Sequence, residues 1–168
     1  MNLEPHIERA SNVLYTRIAG IESWGNVIYS RPPKWFASLL SSIVLATGAT
    51  EPQHLSGDLI DEAGLLTGHL VFLMDEHVVS VSIATDEAST DTLSKSEVRV
   101  WSRSELLSFS VSTDAPVFGD RPYYVWPNVL TVEVGYPLAT LTLSVGDSRS
   151  GVAPVTKFLD GLRRDLVS

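Results

Sequence analysis

The sequence predicts a single α+β domain in which helices precede and follow an antiparallel sheet. Three observations favour this class. Apolar residues recur at spacings of three and four over the first 20 residues and again after residue 151, as in amphipathic helices. Between residues 55 and 145 they alternate with polar residues, as in strands that bury one face. The length of 168 residues suits one domain with one core.

The first helix is expected to end at Gly20, because glycine is favoured just beyond the last helical turn. We expect its apolar stripe to pack against the protein's own sheet, although its spacing is also close to the heptad of a dimeric coiled coil. The stripe consists of Leu3, Ile7, Ala10, Leu14 and Ile18.

A second helix is predicted over residues 33–46, with Pro33 in the first turn, where proline loses no needed hydrogen bond. The apolar run within residues 42–47 also allows a strand, and we favour the helix. The residues around Trp24 and Gly25 are interpreted as a linker. Residues 1–50 are therefore predicted to form two helices.

Six or seven antiparallel strands are expected to follow. One hairpin is predicted to turn at Asp75-Glu76. This turn would pair Phe72 with Val79 on one face of the sheet. Residues 57–64 are expected to supply a first strand or a long turn. The two strands nearest the C-terminus are expected to meet at a turn formed by Tyr136-Pro137.

The alternation changes phase between two predicted strands, residues 98–102 and 106–113. Apolar residues occupy even positions in the first strand and odd positions in the second. A shift of one residue moves side chains to the opposite face of a sheet, so residues 102–105 are interpreted as a corner or a bulge. An amphipathic helix at the C-terminus is expected to close the sheet, which would form a meander or a partly open barrel.

This pattern resembles the bacterial pleckstrin-homology-like domains over residues 55–168. In that family a short polar segment such as SRSEL, at residues 102–106, often leads from one strand into the next and is followed by an apolar pair such as Leu106-Leu107. The resemblance implies a curved antiparallel sheet capped by a helix. It also implies binding of proteins, peptides or lipid head groups, and members of the family are seldom enzymes. No binding motif of the family is visible, so no binding residue is carried over.

Composition and charge argue against several partners. The formal net charge is −8 at pH 7, and a field of this sign repels nucleic acids and anionic membranes. The longest apolar stretch, residues 35–49, is shorter than the roughly 20 residues that a membrane span needs. The chain contains no cysteine, which suits a reducing compartment. We therefore expect a cytoplasmic monomer or homodimer without a nucleic-acid partner.

The sequence contains no convincing catalytic or cofactor motif. His69 and His77 are predicted to lie on opposite faces of a hairpin, so they cannot share a metal ion. A nucleophile elbow and a glycine-rich phosphate loop are both missing. The acids Asp58, Asp61 and Glu62 are interpreted as a solvated turn. We therefore predict no catalytic residue, no metal and no cofactor.

Two segments rich in aromatic and basic residues are candidate partner-binding sites. The first is the stripe Arg99, Trp101 and Arg103 before the corner, where the alternative is that the guanidinium groups stack on the indole without a ligand. The second lies in the proline-rich loop of residues 115–128, whose aromatic residues would anchor a partner if exposed or cover an end of the sheet if buried. Its members are Arg121, Tyr123, Tyr124 and Trp126.

The segment RPPKWF at residues 31–36 allows two interpretations. Arg31 and Lys34 beside Trp35 and Phe36 could contact a membrane interface. We expect instead that the two aromatic residues pack inward at the start of the second helix, so peripheral membrane contact is not expected.

These observations predict a non-enzymatic interaction module that binds a protein or a peptide. The alternative is a small-molecule-binding protein or a small enzyme with a pocket between the sheet and the helices, for which His77 and Tyr123 are the candidate polar residues.

Overall fold

The computed structural model describes residues 4–29, 31–85, 92–113, 130–145 and 152–167, the last range with side chains from Val155 onward. The described residues form an α+β structure with antiparallel strands, which confirms the predicted class. The helices are α1 (Pro5–Ala19), α2 (Glu22–Ile28), α3 (Lys34–Ala46) and α4 (Val152–Asp165). The strands are β1 (His54–Glu62), β2 (Leu65–Leu73), β3 (His77–Ala84), β4 (Lys95–Ser102), β5 (Ser108–Thr113), β6 (Leu130–Tyr136) and β7 (Ala139–Val145). A 3₁₀ turn, η1 (Arg103–Glu105), lies between β4 and β5.

The chain divides into two compact units, Met1–Trp101 and Ser102–Ser168. The first unit contains α1, α2, α3 and a sheet with the strand order β1-β2-β3-β4. The second contains η1, a sheet with the order β5-β6-β7, and α4. The strands thus belong to two sheets, whereas the sequence predicted one meander or partly open barrel, and neither sheet closes into a barrel within the described residues. The single-domain organisation and the pleckstrin-homology-like assignment stay predictions.

The predicted hairpin of the first unit is confirmed. Phe72 pairs with Val79, and the Met74 amide donates a hydrogen bond of 2.9 Å to the His77 carbonyl, so the chain reverses in two residues. The region around residues 57–64 is confirmed as a strand, because β1 pairs with β2 over its full length. One face of β2 and β3 joins the helices in a single buried core, in which each large apolar side chain contributes about 1.5–3 kcal/mol.

The apolar stripe of the first helix lies in this core. Leu14 and Ile18 are fully buried together with strand residues, and Ala10 is buried one turn earlier. Helix α1 packs mainly against α2 and α3, so Leu14 and Ile18 are buried in the protein's own core, and direct packing of the stripe against the sheet stays a prediction. Gly20 follows the last turn of α1, as predicted, and Leu3 lies outside the described residues.

The prediction of a linker around Trp24 and Gly25 is wrong, since these residues belong to α2. The N-terminal segment therefore contains three helices instead of two. The reason is a pair of residues at helical spacing, Trp24 and Ile28, which are both fully buried. Gly25 does not break this helix. An added Cβ at this position would lie 2.4 Å from the Ala19 carbonyl oxygen, so the glycine allows α2 to pack closely against the end of α1.

The second predicted helix is confirmed as α3. It remains helical through Ala46, which resolves the ambiguity of residues 42–47 in favour of the helix. Trp35 and Phe36 are 7% and 2% exposed, so the prediction that they pack inward is also confirmed. Their rings lie edge to face with the ring centroids 6.0 Å apart.

The sheet of the second unit has one apolar and one polar face. Val132 of β6 pairs with Val111 of β5 and with Leu143 of β7, which places all three on the apolar face. The hairpin between β6 and β7 turns at Pro137-Leu138, one residue later than predicted. Tyr136 remains in the strand because its side chain is buried, and Leu138 adopts the positive φ of 64° that the turn requires.

The predicted corner at residues 102–105 is confirmed as η1. The Ser102 hydroxyl accepts a hydrogen bond from the Ser104 amide, and Glu105 accepts one from the Ser102 amide at 2.8 Å. This capping box stabilises the turn that separates the two phases of alternation.

Among the helices of the described residues, none has the length and the apolar character that crossing a membrane requires.

Candidate functional site

The structure separates the three residues of the Arg99, Trp101 and Arg103 stripe. Arg99 and Trp101 lie on β4, where the Arg99 guanidinium forms a 2.6 Å ion pair with Glu97. Arg103 lies beyond the end of that strand, in η1, and binds Asp165. Each of the two cations therefore already has a carboxylate partner from this chain. Partner binding by these residues and their mutual stacking both stay predictions.

Arg103 and Asp165 form a nearly buried ion pair between η1 and α4. The guanidinium Nε donates a hydrogen bond of 2.7 Å to one oxygen of Asp165, and a terminal nitrogen lies 2.7 Å from the same oxygen as an ion pair. The two side chains are only 10% and 16% exposed. Charge-assisted hydrogen bonds of this length are among the stronger ones in proteins. This pair therefore connects the corner after β4 to the end of the C-terminal helix, 62 residues later.

Arg103 approaches α4 closely at a glycine inside that helix. Gly161 is buried, and an added Cβ there would lie 3.2 Å from a terminal nitrogen of Arg103. Glycine within a helix costs about 1 kcal/mol relative to alanine, so helix propensity alone would not favour it. A Cβ at this position would require the guanidinium group to shift by a few tenths of an ångström.

Tyr136 of β6 lies near the same charges. Burial raises the pKa of its hydroxyl to about 12, the carboxylates of Asp165 and Glu105 act in the same direction, and the Arg103 guanidinium opposes them. The hydroxyl is therefore protonated and neutral at pH 7. We refer to Arg103, Glu105, Tyr136 and Asp165 as the Arg103 cluster.

The chemistry of the Arg103 cluster is that of a structural contact. A general base needs a pKa near the working pH, and the pKa of Tyr136 is far above it. The guanidinium of Arg103 is bound by Asp165, and Arg103 as a whole is only 9% exposed. It therefore offers little surface to an anionic ligand. The cluster therefore stabilises the second unit by holding η1 and α4 together.

The histidines do not form a metal site in the described structure. His77 lies on the core face of β3, with Nε2 3.2 Å from the Ala46 carbonyl oxygen, whereas His69 is exposed on the other face. Their predicted placement on opposite faces is confirmed. In the part of the chain that the structure describes, no three residues among His, Asp and Glu converge as metal ligands would.

The second candidate binding site is the aromatic loop of residues 115–128. Its four candidate residues lie outside the described ranges, and their role in partner binding stays a prediction. They are Arg121, Tyr123, Tyr124 and Trp126.

An exposed surface is found instead at one edge of the second sheet. We refer to residues 107–113, which comprise β5 and the leucine before it, as the β5 edge. No strand of the described residues pairs with the outer side of β5. The segment contains neither a charged residue nor a proline. Proteins usually protect an edge strand with charges, proline or a bulge, because unpaired backbone groups attract further strands.

The edge strands of the first sheet have this protection. Its two outer strands are β1 and β4. Charged side chains occur along both of them, and these are Asp58, Asp61 and Glu62 on β1 and Lys95, Glu97 and Arg99 on β4. The uncharged β5 edge therefore differs from the edges of the other sheet in the same chain.

Apolar side chains are exposed along the β5 edge. Leu107 is 67% exposed and Val111 is 42% exposed, although Val132, the partner of Val111 on β6, is fully buried. The other outer strand, β7, is also uncharged, but it buries Leu143 and Val145. Of the two edges of the second sheet, β5 therefore offers the larger accessible apolar surface.

The polar face of this sheet contains one charged residue, Glu133 at the centre of β6. It is exposed and pairs with Ser110 of β5, whose hydroxyl lies 3.5 Å from the carboxylate. On the other side Glu133 pairs with Thr142 of β7. Small hydroxyl side chains therefore surround this carboxylate.

The sequence predicted a strand at residues 106–113, where β5 lies, but did not indicate it as a candidate site. Its alternation of serine with Phe109 and Val111 indicates one polar and one apolar face. Alternation does not indicate which strands lie at the edge of a sheet, because strand order depends on contacts that are distant in sequence. The missing charges were the available signal, and they become informative only when the strand order is known.

The described residues thus form an α+β structure in which the uncharged strand β5 lies unpaired at one edge of its sheet. Comparison of the chain with protein-family models, with curated proteins and with solved structures found no match.

Proposed function

We propose that the protein is a non-enzymatic interaction module that binds an extended peptide segment of a partner protein along the β5 edge. In this mode of recognition the segment adds a strand to the sheet, and main-chain hydrogen bonds provide affinity while alternate side chains provide specificity. The resemblance to pleckstrin-homology-like domains, which mostly bind proteins, peptides or lipid head groups, agrees with this proposal.

The observation that supports the proposal most directly is the combination of an uncharged edge and exposed apolar side chains. An incoming strand would cover Val111, which is 42% exposed, and extend an apolar face that is already buried at Val132. Removing apolar surface from water contributes about 25 cal/mol per Å² before the costs of association. The preferred segment therefore alternates apolar residues with polar ones.

A displayed library of random decapeptides tests the proposal. Selection on the wild-type chain is expected to enrich peptides with alternating apolar residues. Val111→Lys is expected to weaken the binding of the enriched peptides at least about tenfold, because a lysine on an edge strand opposes the addition of a further strand. Isothermal titration calorimetry with the synthetic peptides measures this change.

Val100→Lys is the matched control, because Val100 is 52% exposed on β4, an edge strand of the other sheet. It is expected to bind the selected peptides with wild-type affinity. Circular dichroism of both variants establishes that each one folds. The proposal is contradicted if no peptide is enriched, or if folded Val111→Lys binds as tightly as the wild type.

A further inference from the structure

We infer that the segment bound at the β5 edge places a lysine or arginine opposite Ser110, with its cation on the carboxylate of Glu133. The inference rests on the proposed function and specifies the partner. A basic residue of the bound segment would then determine its register and specificity along the apolar and hydroxyl-rich β5 edge.

The second sheet carries very little charge. Within β5, β6 and β7, which the structure describes completely, Glu133 is the single charged residue. No cation of the described residues forms an ion pair with it, in contrast to Glu97, which contacts both Lys95 and Arg99. An exposed carboxylate without a cation on a neutral polar face attracts a basic side chain from a partner.

The row of serines on β5 gives that side chain access. Ser108, Ser110 and Ser112 lie on the same face as Glu133, and Ser110 is directly opposite it. A strand added outside β5 would lie about 9–10 Å from β6, which is two strand spacings. The stem of lysine or arginine can extend over a short serine side chain and meet the glutamate. A shorter side chain would not reach.

The direction of the molecular field agrees with a basic partner. The formal net charge of −8 attracts cationic peptides and increases their rate of association. The same field repels acidic peptides, so a glutamate opposite Ser110 would face both Glu133 and the whole-molecule charge. The sheet therefore favours a basic residue over an acidic one among the apolar residues of the bound segment.

A second library selection tests the inference. Glu133→Gln is used in parallel with the wild type and with Glu62→Gln, a matched control that removes one exposed carboxylate from an edge strand of the first sheet. We expect peptides selected on the wild type and on Glu62→Gln to contain lysine or arginine at one fixed position. We expect those selected on Glu133→Gln to keep the apolar alternation and lose this preference.

Affinities of one wild-type-selected peptide, and of its variant with methionine in place of the basic residue, complete the test. The basic residue is expected to strengthen binding to the wild type about threefold to fivefold, which corresponds to an exposed ion pair, and to give no advantage with Glu133→Gln. The advantage is expected to decrease at high salt.

The outcomes distinguish the two proposals. Peptides that bind at the β5 edge without a basic preference, or with one that survives Glu133→Gln, overturn this inference and leave the proposed function intact. Failure to select any peptide overturns the proposed function and this inference together.

Discussion

The absence of a side chain at Gly25 allows α2 to begin almost directly after α1. The glycine is half-buried, and the Ala19 carbonyl oxygen occupies the space that a Cβ would need. Glycine is usually unfavourable inside a helix, so its presence here reflects the close approach of the two backbones. Gly161 differs, because its close neighbour is the end of the Arg103 side chain at 3.2 Å, which can shift more easily than backbone.

Gly25→Ala is expected to lower the free energy of unfolding by about 1–3 kcal/mol. The added methyl group would lie 2.4 Å from an oxygen that belongs to the backbone, so the two helices must separate to accept it. Urea denaturation followed by circular dichroism measures the change.

Asn26→Ala is the control for this prediction, since Asn26 is exposed on the same helix and alanine has the higher helix propensity. It is expected to leave the stability unchanged or to raise it slightly. A Gly25→Ala variant as stable as the wild type would show that α2 does not need this close contact.

At the scale of elements, η1 separates the two phases of alternation. A strand that continued straight through residues 102–107 would place the apolar residues after the change of phase on the face opposite Val98 and Val100. The capping box of Ser102 and Glu105 instead turns the chain, and Arg103 points to α4. The corner therefore ends β4, and its Arg103 binds α4 within the second unit.

Asp165→Ala is expected to destabilise the protein by about 3 kcal/mol, because it removes the carboxylate from a guanidinium that is only 10% exposed. Thermal and urea unfolding measure this loss. The double variant Arg103→Met with Asp165→Leu is expected to recover much of the stability, since apolar residues can replace a buried ion pair.

Arg163→Ala provides the comparison within the same helix. It breaks the ion pair between Arg163 and Asp160, whose two side chains are 59% and 56% exposed. The variant is expected to lower the free energy of unfolding by less than about 1 kcal/mol. Equal losses for Asp165→Ala and Arg163→Ala would contradict the structural role of the Arg103 cluster.

The β5 edge is also a property of an element, because its accessibility depends on the position of β5 in the sheet. The same six residues in the centre of a sheet would have no unpaired side. Their serine and valine side chains would then be ordinary strand residues. The accessibility of this edge therefore depends on strand order as much as on residue type.

At the scale of the whole molecule, ionisation of the Tyr136 hydroxyl makes the free energy of unfolding depend on pH. The pKa of its hydroxyl rises from the ordinary value of 10 to about 12 on folding, so the folded protein retains this proton more strongly than the unfolded chain. The corresponding stability is fully present below about pH 10 and is lost as the pH rises to about 12. The shift corresponds to roughly 2–3 kcal/mol.

Urea denaturation at several pH values between about 9 and 12 measures this loss. Tyr136→Phe is expected to reduce the slope of stability against pH in that range. Tyr29→Phe is the control, because Tyr29 is 76% exposed, and it is expected to keep the wild-type slope. A Tyr136→Phe slope identical to that of the wild type would refute the assignment.

Much of the fold could be predicted because it depends on local periodicity. Alternation identified the hairpin that pairs Phe72 with Val79, and the change of phase identified the corner at η1. Helical spacing identified α1, since every member of its stripe is within four residues of the next, and Pro33 indicated the start of α3. The interpretation of α2 as a linker was wrong because Gly25 was considered without its neighbour Ala19.

The sequence by itself determined the α+β class, the strand pairs joined by short turns and the inward packing of Trp35 and Phe36. Only the tertiary structure decided that Arg103 binds Asp165, that the strands divide between two sheets and that β5 lies at an edge. The physical reason is distance along the chain. Periodicity and turns express interactions between near neighbours, whereas ion pairs, close backbone contacts and strand order depend on residues that meet only after the chain has folded.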